Sequence, residues 1–207
     1  MEKIQKAYID YVLDKGEKPA SVYSFAKKLK MTEGEFYDHY NSFEQLESEI
    51  WTGFFKDTKQ KIESEAIFEQ YSVREKVLAF YFTWFEVLKS NRSFVLLAYS
   101  SLPKGGLSKS PQLASFNKAF TFYIEDLLAE GKESNEVKSR RFLDRKYPEL
   151  FWAKTLWLLD FWVKDTSKGF ESTDTAIEKA VNTAFELIGT TVVDSVVDLA
   201  KFIYQNR

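Results

Sequence analysis

The 207-residue chain has no cysteine, a single histidine, four prolines and eight glycines. Without thiols, disulfides, thiolate zinc sites and thiol catalysis fall away together, which fits a reducing compartment. One histidine, no glycine-rich phosphate loop and no clustered carboxylate motif leave nothing from which to assemble a nucleophile, a metal site or a cofactor cradle. The chain is therefore expected to be no enzyme, with no cofactor and no metal. Long apolar runs are also missing: the most apolar stretch, Leu156 to Val163, is far too short to span a bilayer and carries Asp160. Neither sign of charge is in excess, with 29 Lys and Arg against 31 Asp and Glu. That balance argues against a strongly basic nucleic-acid binder and against an acidic disordered tail. The start leads from Met1 into Asp10 and Asp14 rather than an apolar signal segment, so a soluble, cytoplasmic protein is expected.

What the chain has in abundance is aromatic rings: 19 Phe, 11 Tyr and 5 Trp make up 17% of it. Apolar residues recur at steps of three and four almost throughout, which predicts an all-α fold. Ile4, Ala7, Tyr8, Tyr11 and Val12 form a first stripe that Gly16 can stop. Val22, Phe25, Ala26 and Leu29 form a second stripe, after Pro19 and Ser21. Thr32 with Glu35, and Ser42 with Gln45, read as capping boxes opening a third helix to about Tyr40 and a fourth to about Ser64. Longer, ring-rich helices are expected from about Ser72 to Lys89, Ser93 to Ser101, Gln112 to Glu130, and after Pro148. Pro103 to Pro111 is a loop, and Gly131 to Lys146 is a polar stretch with Lys132, Lys138, Arg140, Arg141, Arg145 and Lys146. That run reads as a solvated connection or an anionic-ligand patch. Thr173 or Asp174 caps a last helical region in which Ile177, Val181, Phe185, Ile188, Val192, Val196, Leu199 and Ile203 repeat. The last two helices can pair as a hairpin and leave a stripe for a second copy. Asp194 and Asp198 share a face there, read as solvated or as a dimer rim.

Three short helices within 40 residues, with the turn Lys30-Met31-Thr32 between the second and third, have the form of a helix-turn-helix. The run from Pro19 through Phe25-Ala26, then Leu29 to Leu46 with Gly34, Tyr37, His39, Tyr40 and Ser42, resembles the DNA-binding domain of TetR family bacterial regulators. The resemblance implies a helix-turn-helix module over residues 1–48 and a helical ligand-binding and dimerisation domain over 49–207. It further implies a homodimer on double-stranded operator DNA and a small effector in the C-terminal domain. By position, Thr32, Tyr37 and His39 would bond phosphates, while Glu33, Glu35 and Asp38 would face base edges or the groove; Lys27, Lys28 and Lys30 would meet the backbone. For His39 the other reading is aromatic packing, and Tyr40 is read as core. Residues 1–60 carry nine lysines and eleven acids, there is no arginine before Arg74, and the third helix has no Lys or Arg. DNA affinity comes mainly from neutralised phosphates, so this charge pattern leaves two readings open. One is a ligand-responsive DNA-binding regulator; the other is a protein of the same fold that binds a lipid or apolar ligand and has weakened or lost DNA binding.

For the effector, the rings of Phe80, Trp84, Phe116, Phe120, Tyr123, Trp152 and Trp157 could line an apolar cavity for a small apolar or aromatic molecule. At helical spacing such rings also read simply as core. A second, shorter likeness lies at Asp165-x-Ser167-x-x-Phe170-x-x-Thr173, which resembles the TetR-fold lipid-binding proteins of coenzyme Q biosynthesis or else reflects helix capping by Ser and Thr.

Overall fold

The computed structural model describes residues 3–103, 107–140 and 143–189. Among these residues there are helices and turns and no strand. The helices are α1 (Lys3–Lys15), α2 (Val22–Lys28), α3 (Glu33–Tyr37), α4 (Phe43–Glu63), α5 (Val73–Lys89), α6 (Arg92–Ser100), α7 (Ala114–Glu133), α8 (Tyr147–Lys164) and α9 (Glu171–Gly189). The all-α expectation holds, with most boundaries within three residues of those read from periodicity. The third helix is the exception in proportion, ending at Tyr37 rather than Tyr40. The expected loop after Pro103 carries two single turns of 3-10 helix, Leu107–Lys109 and Pro111–Leu113. Val192, Val196, Leu199, Ile203, Asp194 and Asp198 lie outside the described residues, as does Arg141.

The chain forms two compact units, residues 1–62 with 83–120, and residues 63–82 with 121–207; α5 and α7 each contribute to both. In the first unit the core begins as a ring cluster. Phe25, fully buried, stands edge-on to Tyr8 at 5.8 Å, Phe43 at 5.7 Å and Phe36 at 6.2 Å. Polar ties set α1 against α4: the buried Glu47 carboxylate accepts from the Tyr8 hydroxyl at 2.7 Å and from Lys18 Nζ at 2.8 Å. Gln5 Nε2 donates to the Tyr40 hydroxyl, which fixes the chain just after α3. A second ring set, Trp51, Phe54, Phe94, Trp84 and Phe116, fills the rest of this unit.

In the second unit α8 and α9 run antiparallel, as the pairs Phe151 with Phe185, Lys154 with Ala180, and Asp165 with Thr173 require. The Tyr81 hydroxyl shares a hydrogen bond with Thr155 Oγ1 (2.9 Å) and ties α5 to α8. Arg140 is buried, its guanidinium donating to the Tyr147 hydroxyl and to the carbonyl of Ile188. Lys132 pairs with Asp144, and Lys146 with Glu149. Much of the cationic run is thus consumed in structure.

The start of α9 differs from expectation. Its first turn is held by residues well upstream: Asp165 Oδ2 accepts from the Thr173 N–H (2.9 Å) and hydroxyl (2.6 Å), Asp165 Oδ1 from the Ser167 N–H, and Ser167 Oγ from the Ser172 N–H. Phe170 closes the turn by packing on Trp162 at 5.8 Å. The Asp-x-Ser-x-x-Phe-x-x-Thr pattern therefore has a full local account as a helix N-terminus satisfying its own orphan N–H groups.

Candidate functional site

The N-terminal module is built from two caps that face each other across a three-residue turn. Helix α2 starts on Ser21, whose Oγ accepts from the Ser24 N–H. It ends in a Schellman turn: the Lys30 N–H reaches the Lys27 carbonyl, the Met31 N–H reaches the Ala26 carbonyl, and Lys30 itself sits at φ +58. Helix α3 then opens on Thr32 with both halves of a capping box present. Glu35 Oε2 accepts from the Thr32 N–H at 2.6 Å and its hydroxyl at 2.9 Å, while Thr32 Oγ1 accepts from the Glu35 N–H. Those bonds from Thr32 hold the Glu35 carboxyl below the usual range. Only five residues long, α3 keeps its orientation through one side chain, the fully buried Phe36.

Lys30 occupies a left-handed position that costs a residue with a Cβ about 1 kcal/mol relative to glycine. Lys30→Gly is expected to raise Tm by about 2–4 °C while removing one cation from the module, read by thermal denaturation beside DNA titration. A lower Tm would mean that the lysine side chain contributes contacts that outweigh its backbone strain.

Of the nine residues assigned to DNA, all are solvent-exposed: Lys27, Lys28, Lys30, Thr32, Glu33, Glu35, Tyr37, Asp38 and His39. Tyr37 is 49% exposed, whereas Tyr40 is buried as expected. The His39 ring lies beside Tyr40 at 6.2 Å. Thr32 and Glu35 are engaged with each other in the cap, which leaves Glu33 and Asp38 as the acids of this segment without a capping bond. Two aromatic neighbours escaped sequence reasoning. Tyr23, 58% exposed, lies 5.9 Å from Lys27 Nζ, and Lys28 Nζ sits 4.5 Å over the Tyr11 ring. Position on α2 and i, i+4 spacing could have found the first; the second needs the packing of α1 against α2.

The rings assigned to an effector fall in both compact units. Phe80, Trp84, Phe116 and Phe120 are fully buried, and Tyr123 and Trp152 nearly so. Trp84, Phe116 and Phe120 pack within the first unit, Trp84 to Phe116 at 5.3 Å and Phe116 to Phe120 at 6.0 Å. Phe80 and Tyr123 meet at 5.4 Å in the second. Burial pushes the Tyr123 hydroxyl up from its ordinary range. Trp51, which the sequence reading did not single out, is wholly buried with its indole N–H lacking an acceptor.

Trp157 stands apart at 51% exposure, on the rim of a groove of about 990 Å³ between α8 and α9. Leu150 and Leu187 there are equally open to solvent. Helix α8 presents Leu150, Phe151, Trp157 and Phe161 to the groove, with Ala153 among them, and α9 presents Ala176, Ala180, Thr183 and Ala184 and then Leu187 and Ile188. Lys154 lies within it, its Nζ donating to the Ala180 carbonyl. The described residues contain no group of His, Asp or Glu that could hold a metal ion, and no helix long and apolar enough to cross a membrane.

The described residues thus form a helix-turn-helix followed along the chain by a helical region with an open two-helix face. The family model described as "Tetracyclin repressor-like, C-terminal domain" matches residues 76–203, and the chain belongs to the TetR family of transcription regulators. Its fold is similar to that of a "putative tetR family transcription regulator" from Shewanella sp. PV-4, with TM-score 0.59 and 15% identity over 87% of this chain and 95% of that one. No curated protein matches the sequence.

Proposed function

We propose that the chain is a ligand-responsive regulator that binds operator DNA as a homodimer through α2 and α3. The observation that carries this reading is the Schellman turn joined to the Thr32–Glu35 capping box, which sets two helices at a fixed angle with Lys27, Lys28, Lys30, Tyr37 and His39 all exposed. The DNA-binding module is residues 1–48, and a cytoplasmic location goes with this role. The groove between α8 and α9 is the dimerisation face. Leu150 and Trp157 of α8 and Leu187 of α9 stand open to solvent along it, an apolar face that a second copy covers by presenting the same face under a two-fold axis. The effector is a small apolar or aromatic molecule bound within the helical domain of residues 49–207.

Electrophoretic mobility shifts after selection from a random duplex library test the DNA reading. Sequence-preferring binding at low salt is expected. Lys28→Ala should weaken binding to all sequences alike and reduce the slope of log K against log salt by about 1. Binding without sequence preference would sink the regulator. The second reading, an apolar-ligand protein with lost DNA binding, is favoured by one observation: α3 and its C-cap carry Glu33, Glu35 and Asp38 and no cation.

A further inference from the structure

We infer that pairing of two chains through the α8–α9 groove expels a proton from Lys154 of each, so that the homodimer tightens as pH rises. This rests on the dimerisation face named above.

Of the two lysines among the described lining residues, Lys154 is partly buried in the groove and Lys179 is exposed. Its Nζ donates to the Ala180 carbonyl at 2.7 Å and stands 4.7 Å from the centre of the Phe151 ring. Neither neighbour carries a negative charge. The other ionisable groups among the described lining residues are Tyr147, from α8, and Lys179, from α9. The Tyr147 hydroxyl is already taken by Arg140, and Lys179 is a second cation. Of the acids on or beside α8, Glu149 pairs with Lys146, Asp160 with Lys164, and Asp165 accepts from the first turn of α9, while Glu171, Asp174, Glu178 and Glu186 of α9 are not among the residues that line the groove. Partial burial in this apolar setting already lowers the Lys154 amine to about 8.

A two-fold interface brings up an identical lining. It therefore adds apolar surface and more lysines, and no described carboxylate. Water that still reaches Lys154 is stripped away, and the described lining residues supply no countercharge in exchange, so that a desolvated ammonium in that position gives up its proton rather than remain charged. The sign follows from linkage. The free chain binds more protons than the dimer near the Lys154 pKa, so association is favoured by raising pH. With one proton lost per chain, the dissociation constant falls by up to about 100-fold per pH unit while Lys154 in the free chain is still charged, and levels off above it.

Sedimentation velocity of the full chain at pH 7, 8 and 9, at one ionic strength, reads this directly. The wild type should dimerise at least about tenfold more tightly at pH 9 than at pH 7. Lys154→Met keeps the length of the side chain and removes the charge; it should dimerise more tightly at pH 7 and change less than about threefold across the range. Should that variant fail to fold, dilution calorimetry of the wild type in two buffers of different ionisation enthalpy measures the protons exchanged on dissociation. Uptake of protons by the separating chains is the expected result. A dimer with the same dissociation constant at all three pH values, or a slope that Lys154→Met retains or that only Lys179→Met removes, overturns the inference and leaves the dimer standing. A chain that stays monomeric at every pH overturns the dimerisation face itself.

Discussion

Phe36→Ala should cost about 3–5 kcal/mol and lower Tm by roughly 6–20 °C. The phenyl ring is wholly buried and meets four others, Phe25, Tyr37, Tyr40 and Phe43, within 5.6 to 6.2 Å of ring centres. Helix α3 is too short to persist without tertiary support, because a five-residue helix closes hardly more than its nucleating turn. Removing the ring leaves a cavity at the point where α3 is anchored, and the loss is a large part of the 5–15 kcal/mol that holds a typical domain together. Tyr37→Ala, one position along but half-exposed, should shift stability by less than about 1 kcal/mol and act on DNA binding instead. Thermal denaturation of both variants, followed by near-UV circular dichroism, separates them. A Phe36→Ala Tm within 2 °C of the wild type would refute the anchoring role.

Asp165→Ala is expected to cost about 2 kcal/mol, or roughly 4–8 °C in Tm. The carboxylate is buried and accepts from two backbone N–H groups and from the Thr173 hydroxyl, so its loss leaves donors of the first turn of α9 unsatisfied where water has little access. Burial by itself would raise this carboxyl; the hydrogen bonds from Ser167 and Thr173 outweigh it and hold the group at about 2. A carboxylate with a depressed folded-state pKa contributes stability that is complete above its unfolded value near 4 and is lost as pH falls towards 2. Urea denaturation from pH 6 to pH 2 should therefore show the wild type losing its advantage over Asp165→Asn progressively below about pH 5. A constant difference between the two across that range would show that the charge on Asp165 contributes nothing beyond its shape.

Asp165 also shows how local sequence signals are misread. Thr173 and Asp174 have the composition of an N-cap, and in sequence they are the nearest such residues to the last apolar stripe. In the fold Thr173 is inside the first turn and donates, while the acceptor lies eight residues upstream. A cap defined by i, i+3 spacing is legible from a sequence because both partners are on one short segment; Thr32 with Glu35 is such a case and forms as written. A cap delivered across a bend depends on backbone angles, here Gly169 at φ +64 and Phe170 at φ +69, that no spacing rule specifies.

The aromatic residues divide along similar lines. Their placement at helical spacing marks them as interior, and all but one of the seven singled out for an effector are buried. Periodicity reports which face of a helix is apolar, yet whether that face meets a neighbouring helix, a ligand or a second chain depends on what the rest of the molecule brings to it. Trp157 reads in sequence like Trp152 and ends half-exposed on a groove rim. Lys154 gave no signal at all, since a lysine on an amphipathic helix ordinarily lies on the solvated face.

By itself the sequence determined the all-α class, nearly every helix boundary, the Thr32–Glu35 capping box, the Ser42 cap on the Gln45 N–H and the family, because each is written in residues close along the chain and follows from local hydrogen bonding and apolar period. Tertiary structure alone decided that Asp165 caps α9, that Arg140 is buried among carbonyls, that Lys154 lies inside an apolar groove without a carboxylate, and that Trp157 faces out. Those outcomes depend on desolvation and on partners distant in sequence, and both arise only when helices pack.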